Sequence, residues 1–96
     1  MGLLIDPEGH EIAALEALVP GLDGARVIEI GCGDGRLTRR YSARAASVLA
    51  IDPDESAVSA FLADRPAGSI EVHALPVERL EVPPRTADVV LLSWSL

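Results

Sequence analysis

The stretch Val27-Ile28-Glu29-Ile30-Gly31-Cys32-Gly33-Asp34-Gly35-Arg36 constrains this chain more than any other. An apolar strand runs straight into a turn with glycines at three alternate positions. A second apolar run, Val48-Leu49-Ala50-Ile51, ends in Asp52, about 20 residues after Gly31, the offset of an acid that takes ribose hydroxyls. Strand, glycine turn, helix and a second strand closed by an acid together make a ligand site. The glycines let the backbone pass close to a ligand, and the acid holds the ribose.

The glycine spacing separates two kinds of nucleotide site. A dinucleotide fingerprint needs Gly-x-Gly-x-x-Gly, with the third glycine where helix and strand pack closely. Counted from Gly31, that place is Arg36; the third glycine is instead Gly35. Glu29 precedes the turn by two residues. A carboxylate there repels a pyrophosphate and attracts an ammonium or sulfonium centre. Both features point away from NAD and toward a cationic nucleoside such as S-adenosylmethionine. The bland alternative is a tight strand-to-helix connection that holds no ligand.

With these residues the chain resembles the class I S-adenosylmethionine-dependent methyltransferases. Glu29-Ile30-Gly31-Cys32-Gly33-Asp34-Gly35 looks like their first motif, and Ala50-Ile51-Asp52-Pro53 like their second. Ala87-Asp88-Val89-Val90-Leu91-Leu92-Ser93 resembles their fourth strand. The resemblance runs from about Leu15 to Leu96 and implies the cofactor-binding first half of a larger sheet. It implies cofactor contacts from Glu29, Gly31, Cys32, Gly33, Gly35, Asp52, Pro53 and Ser93. One departure stands out. Where the family places an Asp that contacts the adenine amine, this chain has Pro76, which has neither a side-chain acceptor nor a backbone N–H. Adenine recognition then falls to the Val77 backbone or the Glu78 side chain.

Composition sets the bounds. The 96 residues are read as one partial domain, 1–96, and 49% are apolar, enough for a core. The net charge of −7 argues against general affinity for nucleic acid or anionic membranes. No run approaches the roughly 18 apolar residues that span a bilayer. The N-terminus has neither a basic n-region nor a myristoylation pattern, so a cytoplasmic location is the default expectation. The one cysteine, Cys32, has no partner for an internal disulfide. It reads either as a thiol activated by a nearby helix N-terminus or as a small residue that fits a tight turn. No metal site is expected, because His10 and His73 are not spaced with Cys32 as a ligand set.

Along the chain the order alternates. A first helix is expected over Glu8 to Val19, with Ile12, Leu15, Leu18 and Val19 on one face. Strand one is Arg26 to Ile30. A second helix runs from about Gly35 to Ala45, with Leu37, Tyr41 and Ala45 inward and Arg36, Arg39, Arg40 and Arg44 on the rest. That basic stripe reads as a solvated face, or as a contact for a phosphate-bearing acceptor or RNA. Strand two is Ser47 to Ile51, and a third helix covers Asp54 to Ala63 with Val58, Phe61 and Leu62 buried. Strand three is Ser69 to Ala74, Val82-Pro83-Pro84-Arg85 is a rigid connector, and strand four is Ala87 to Ser93.

Near-continuous apolar strands imply burial on both faces and hence a parallel sheet. Right-handed crossovers then give strand order 3-2-1-4 in an α/β, Rossmann-like three-layer sandwich, truncated after strand four. The ligand crevice lies at the carboxyl ends, where the order reverses between strands one and four. The expected activity is methyl transfer from S-adenosylmethionine to an unknown acceptor. The alternatives are a catalytically silent module that binds the same ligand or a partner, and, more weakly, an NAD oxidoreductase. No residue receives a catalytic role; His73 reads either as a base or as a strand-three histidine without one. Strand four as an exposed apolar edge also invites self-association.

Overall fold

The computed structural model describes residues 22–81 and 87–92. The expected helix over Glu8 to Val19, the connector at 82–85 and the end of strand four at Ser93 lie outside the described residues. Four strands form one parallel sheet in the order β3-β2-β1-β4. They are β1 (Arg26–Ile30), β2 (Ser47–Asp52), β3 (Ile70–Ala74) and β4 (Val89–Leu92). This is the expected order. β2 runs one residue further than the sequence suggested, and β3 begins one residue later.

Register determines which side chains share a face. Glu29 lies between Ala50 of β2 and Leu91 of β4, and Val27 between Val48 and Val89. Side chains alternate along each strand, so these residues all point to one side. On that side lies the core of Leu22, Val27, Leu37, Tyr41, Val48, Ala50, Val58, Phe61, Val72 and Leu91. Phe61 and Tyr41 are its largest buried members. Full burial of a side chain of that size is worth about 1.5–3 kcal/mol.

The helix α1 (Glu55–Ala63) follows β2. Asp54 is its N-cap: Oδ1 accepts from the N–H groups of Ser56 and Ala57 at 2.9 and 3.2 Å. This satisfies two of the N-terminal donors that a helix leaves without internal partners. Val58 and Phe61 are buried as expected, but Leu62 is 45% exposed. Leu62 directly follows Phe61, so a helix only a few turns long cannot aim both at the core. Among the described residues no helix is long and apolar enough to cross a membrane.

The expected second helix over Gly35 to Ala45 is not a regular α-helix. Only Thr38–Arg40 is helical, and it is a 3-10 turn. Its backbone mixes bonds of two spans: Arg39 N–H to Gly35 O and Ser42 N–H to Thr38 O, but Arg40 N–H to Leu37 O and Tyr41 N–H to Thr38 O. Two physical causes are visible. Gly35 has φ +92°, which excludes it from a right-handed helix. Tyr41 has φ −133°, and its hydroxyl is held by a tertiary bond to Glu29. Tertiary bonding overrides helix periodicity here. The inward face is still the expected one, with Leu37 and Tyr41 buried and Ala45 packed against the core.

Two close approaches fix this segment against its neighbours. A Cβ on Gly35 would lie 2.7 Å from the Phe61 ring, so the glycine turn rests directly on α1. A Cβ on Gly68 would lie 2.4 Å from the Ser42 carbonyl oxygen, and the Ser42 hydroxyl donates to Ala67 O at 2.5 Å. At the opposite end of the sheet Arg26 and Asp88 join β1 to β4. Asp88 Oδ2 accepts from Arg26 N–H at 2.8 Å and from Nε at 3.2 Å, and Oδ1 accepts from Nη2 at 3.1 Å.

Two outcomes follow. Gly35→Ala should destabilise the chain by about 2–3 kcal/mol, the sum of positive-φ strain and displacement of a packed ring. Gly24→Ala, at φ +71° with nothing within 4 Å of its Cβ, should cost about 1 kcal/mol. Equal shifts in urea midpoint would contradict the Phe61 contact. The Arg26 hydrogen bonds lower the Asp88 carboxyl from its ordinary 3.8 to about 2. The folded value lies below the unfolded one, so the pair's contribution is complete above about pH 4 and is lost as pH falls toward 2. Both side chains are about half exposed, so the effect is small. Urea midpoints between pH 5 and 2 should fall more steeply in the wild type than in Asp88→Asn; parallel curves would contradict the pairing.

Candidate functional site

The carboxyl end of β1 does not run free into its turn. Gly31 and Cys32 both donate their N–H groups to the Ile51 carbonyl, at 2.8 and 3.0 Å, and Gly35 N–H donates to Cys32 O at 3.0 Å. The turn is thereby folded back onto the end of β2. Gly31, Gly33 and Gly35 all have positive φ, at 81°, 57° and 92°. A residue with a Cβ adopts such angles only under strain, which is why glycine alternates through this turn.

Asp52 closes the arrangement. Its Oδ2 accepts from Gly33 N–H at 3.0 Å, and its Oδ1 accepts from Asp54 N–H at 2.8 Å. One carboxylate thus ties the glycine turn to the start of α1. A carboxylate offers about four acceptor positions, so both oxygens keep capacity for further donors. Between these elements lies an open cleft of roughly 700 Å³. Gly31, Cys32 and Gly33 form one wall, with Asp34 and Arg36; Asp52, Pro53 and Asp54 form the floor, and Ser56, Ala57 and Ala60 of α1 the other wall. That size falls within the usual range for small-molecule sites. The space beside Gly33 is clear, with no atom within 4 Å of where its Cβ would be.

Five of the expected site residues therefore line one cleft: Gly31, Cys32, Gly33, Asp52 and Pro53. The others stand elsewhere. Gly35 is buried under the turn against Phe61. Val77 and Glu78 stand exposed on a 3-10 turn (Val77–Arg79) that begins after Pro76, apart from the described residues of the cleft wall. Ser93 lies outside the described residues. Asp34, Arg36, Asp54, Ser56, Ala57 and Ala60 were not anticipated as lining. In the sequence Asp54 reads only as the first residue of a helix, and Arg36 only as the residue that replaces a third dinucleotide glycine and as part of a basic stripe.

Glu29 is placed differently from expectation. It is fully buried, and its carboxylate faces the segment after the glycine turn rather than the cleft. Oε1 accepts from the Thr38 hydroxyl at 2.7 Å and from the Tyr41 hydroxyl at 2.5 Å. Thr38 and Tyr41 were missed as polar partners because Tyr41 reads as an apolar-face residue. Their separation of three residues, which puts both on one helical face, was the available signal. Burial, with the Glu29 charge alongside, also pushes the Tyr41 phenol well above its ordinary range, so the hydroxyl stays protonated and able to donate.

Cys32 is not an activated thiol. Burial first, then the charges of Glu29, Asp52 and Asp34, push it up to about 12. At neutral pH it is protonated and acts as a small apolar group in the turn. His73 is on the exposed side of β3, with Nε2 2.5 Å from Glu71 Oε2, apart from the cleft.

Comparison with known proteins agrees with this geometry. A family profile described as "Methyltransferase domain" matches residues 27–96. The chain is 35% identical over 72 residues to a ubiquinone biosynthesis O-methyltransferase of Rhizobium etli, covering 73% of this chain and 29% of the relative. It is 38% identical over 90 residues to a tRNA U34 carboxymethyltransferase of Methylococcus capsulatus, covering 88% and 28%. Among solved structures, an S-adenosylmethionine-dependent methyltransferase of Mesorhizobium loti superposes with a TM-score of 0.72 at 27% identity, over 83% of this chain and 37% of that one. The chain thus spans under a third of the length of these two curated relatives. The matched profile, the parallel sheet of order 3-2-1-4 and the glycine turn tied to Asp52 beside a cleft agree with one another, and the chain belongs to the class I S-adenosylmethionine-dependent methyltransferases.

Proposed function

We propose that the cleft binds S-adenosylmethionine and that this chain supplies the cofactor-binding half of a methyl transfer to an acceptor not yet identified. The observation that carries the reading is the Asp52 carboxylate, fixed by backbone donors from the glycine turn, Gly33, and from the residue that caps α1, Asp54. A residue held in this way is preorganised to receive the two hydroxyls of a ribose without rearranging. The open space beside Gly33 fits a ligand that approaches the backbone closely. The acids at the cleft, Asp34, Asp52 and Asp54, favour a ligand with cationic centres over a pyrophosphate.

In this reading Gly31, Cys32 and Gly33 accommodate the amino-acid end of the ligand, Asp52 and Pro53 the ribose, and Ala57 and Ala60 supply apolar wall. Bound there, the sulfonium supplies an electrophilic methyl group. The chain's own residues contribute orientation and exclusion of water, which suffice for a displacement whose charge disperses in the transition state. A general base is required only for an acceptor that arrives protonated with a high pKa.

Calorimetric titration with S-adenosylhomocysteine tests the site, with NAD titrated in parallel. Saturable binding is expected for S-adenosylhomocysteine and none for NAD. Asp52→Ala should weaken it about ten-fold or more, the loss of hydrogen bonds to a charged group. A folded chain that binds neither ligand, or an Asp52→Ala variant that binds like the wild type, would overturn the proposal.

A further inference from the structure

We propose that Glu29 acts as a positioning residue for the cleft, working through Thr38 and Tyr41 without touching the ligand. This rests on the reading of the cleft as an S-adenosylmethionine site and assigns a different task to the acid that precedes the glycine turn. The connection can be followed bond by bond. Glu29 is anchored in the sheet between Ala50 and Leu91. Its Oε1 receives the Thr38 and Tyr41 hydroxyls, and both donor residues are buried. Thr38 and Tyr41 belong to the irregular segment whose first residue, Gly35, bonds back to Cys32 O and accepts from Arg39 N–H. The turn that ends at Gly35 presents Gly33 N–H to Asp52.

The segment has no regular helical ladder to hold it in place. Its far end is tied by backbone bonds, Gly24 N–H to Arg44 O and Ala46 N–H to Ala25 O, and its start rests on Phe61; between them the two side-chain bonds to Glu29 join it to β1, close in sequence to the glycine turn. Hydrogen bonds to a carboxyl oxygen inside a protein are stronger than the same bonds in water. Loss of either hydroxyl shifts the segment, and with it the Gly35 end of the turn that forms one wall of the cleft. Preference for a cationic ligand comes in this account from Asp34, Asp52 and Asp54, which line the cleft, and not from Glu29.

Two ligands separate positioning from direct charge attraction. S-adenosylmethionine carries a sulfonium; S-adenosylhomocysteine has the same shape without that charge. Thr38→Val and Tyr41→Phe should each weaken both ligands by roughly three- to ten-fold, the range of one lost hydrogen bond. Their ratio of affinities should stay within about two-fold of the wild type, and Glu29→Gln should leave that ratio equally unchanged. Thr38→Ser, which keeps the hydroxyl, should restore wild-type affinity.

Circular dichroism at the titration temperature confirms that each variant is folded. The amide resonances of Gly31 and Gly33 should move in Tyr41→Phe, which a role in bulk stability alone would not cause. Wild-type affinity in both hydroxyl variants would overturn the proposal. So would a Glu29→Gln variant that loses S-adenosylmethionine selectively, since that would place its charge against the sulfonium. Should Glu29→Gln fail to fold, the Thr38 pair and Tyr41→Phe decide. A wild-type chain that binds neither ligand would overturn the cofactor reading instead, and the Gly31 and Gly33 resonances would still decide the link to Tyr41.

Discussion

A single carbonyl organises the ligand end of this molecule. The oxygen of Ile51 takes the N–H groups of both Gly31 and Cys32, and in doing so fixes the turn after β1 over the end of β2. A carbonyl oxygen has two lone pairs, so this acceptor is fully used. Everything above the sheet inherits that junction: the place of Gly33, the reach of Asp52 to it, and the line along which α1 departs. The bonds are between backbone groups, which frees the surrounding side chains to be chosen for the cleft.

Electrostatics around the turn are arranged in two tiers. Above, toward the cleft, stand carboxylates whose oxygens are occupied by backbone donors yet keep acceptor capacity. Below, against the core, Glu29 is satisfied by hydroxyls and shielded from water. Cys32 sits between the tiers and responds to both, which is why its thiol stays protonated. The result is a cleft lined by three acids, in which the one thiol among the described residues is held protonated.

Much of the fold was legible in the sequence because a buried parallel strand advertises itself. Val27-Ile28-Glu29-Ile30 and Val48-Leu49-Ala50-Ile51 are near-continuous apolar runs, broken only by Glu29, and glycines close the first and an acid the second. The sheet order follows from right-handed crossovers together with the reversal between β1 and β4 that opens a ligand crevice. Local pattern failed where tertiary bonds took over. Leu37, Tyr41 and Ala45 have helical spacing and do face the core, yet the Tyr41 hydroxyl and Gly35 hold the backbone off a regular helix. The direction in which Glu29 points was likewise hidden. Alternation places it on the same face as Val27, beneath the following segment, but motif position alone suggested a ligand contact. Val77 and Glu78 were carried by resemblance, and nothing in their own residues fixes a place on the cleft wall.

Gly68 is exposed to solvent, and yet its missing Cβ would fall upon the Ser42 carbonyl oxygen. Accessibility to water and freedom to vary are therefore separate properties in this chain. The direction in which a side chain would leave the backbone matters more than how much of the residue can be wetted. A catalogue of tolerated substitutions would show an intolerant surface position on the loop between α1 and β3, outside the residues that line the cleft. Read by exposure alone, that position would be mistaken for a contact with another molecule, when its cause is the backbone of residue 42 lying directly beneath it.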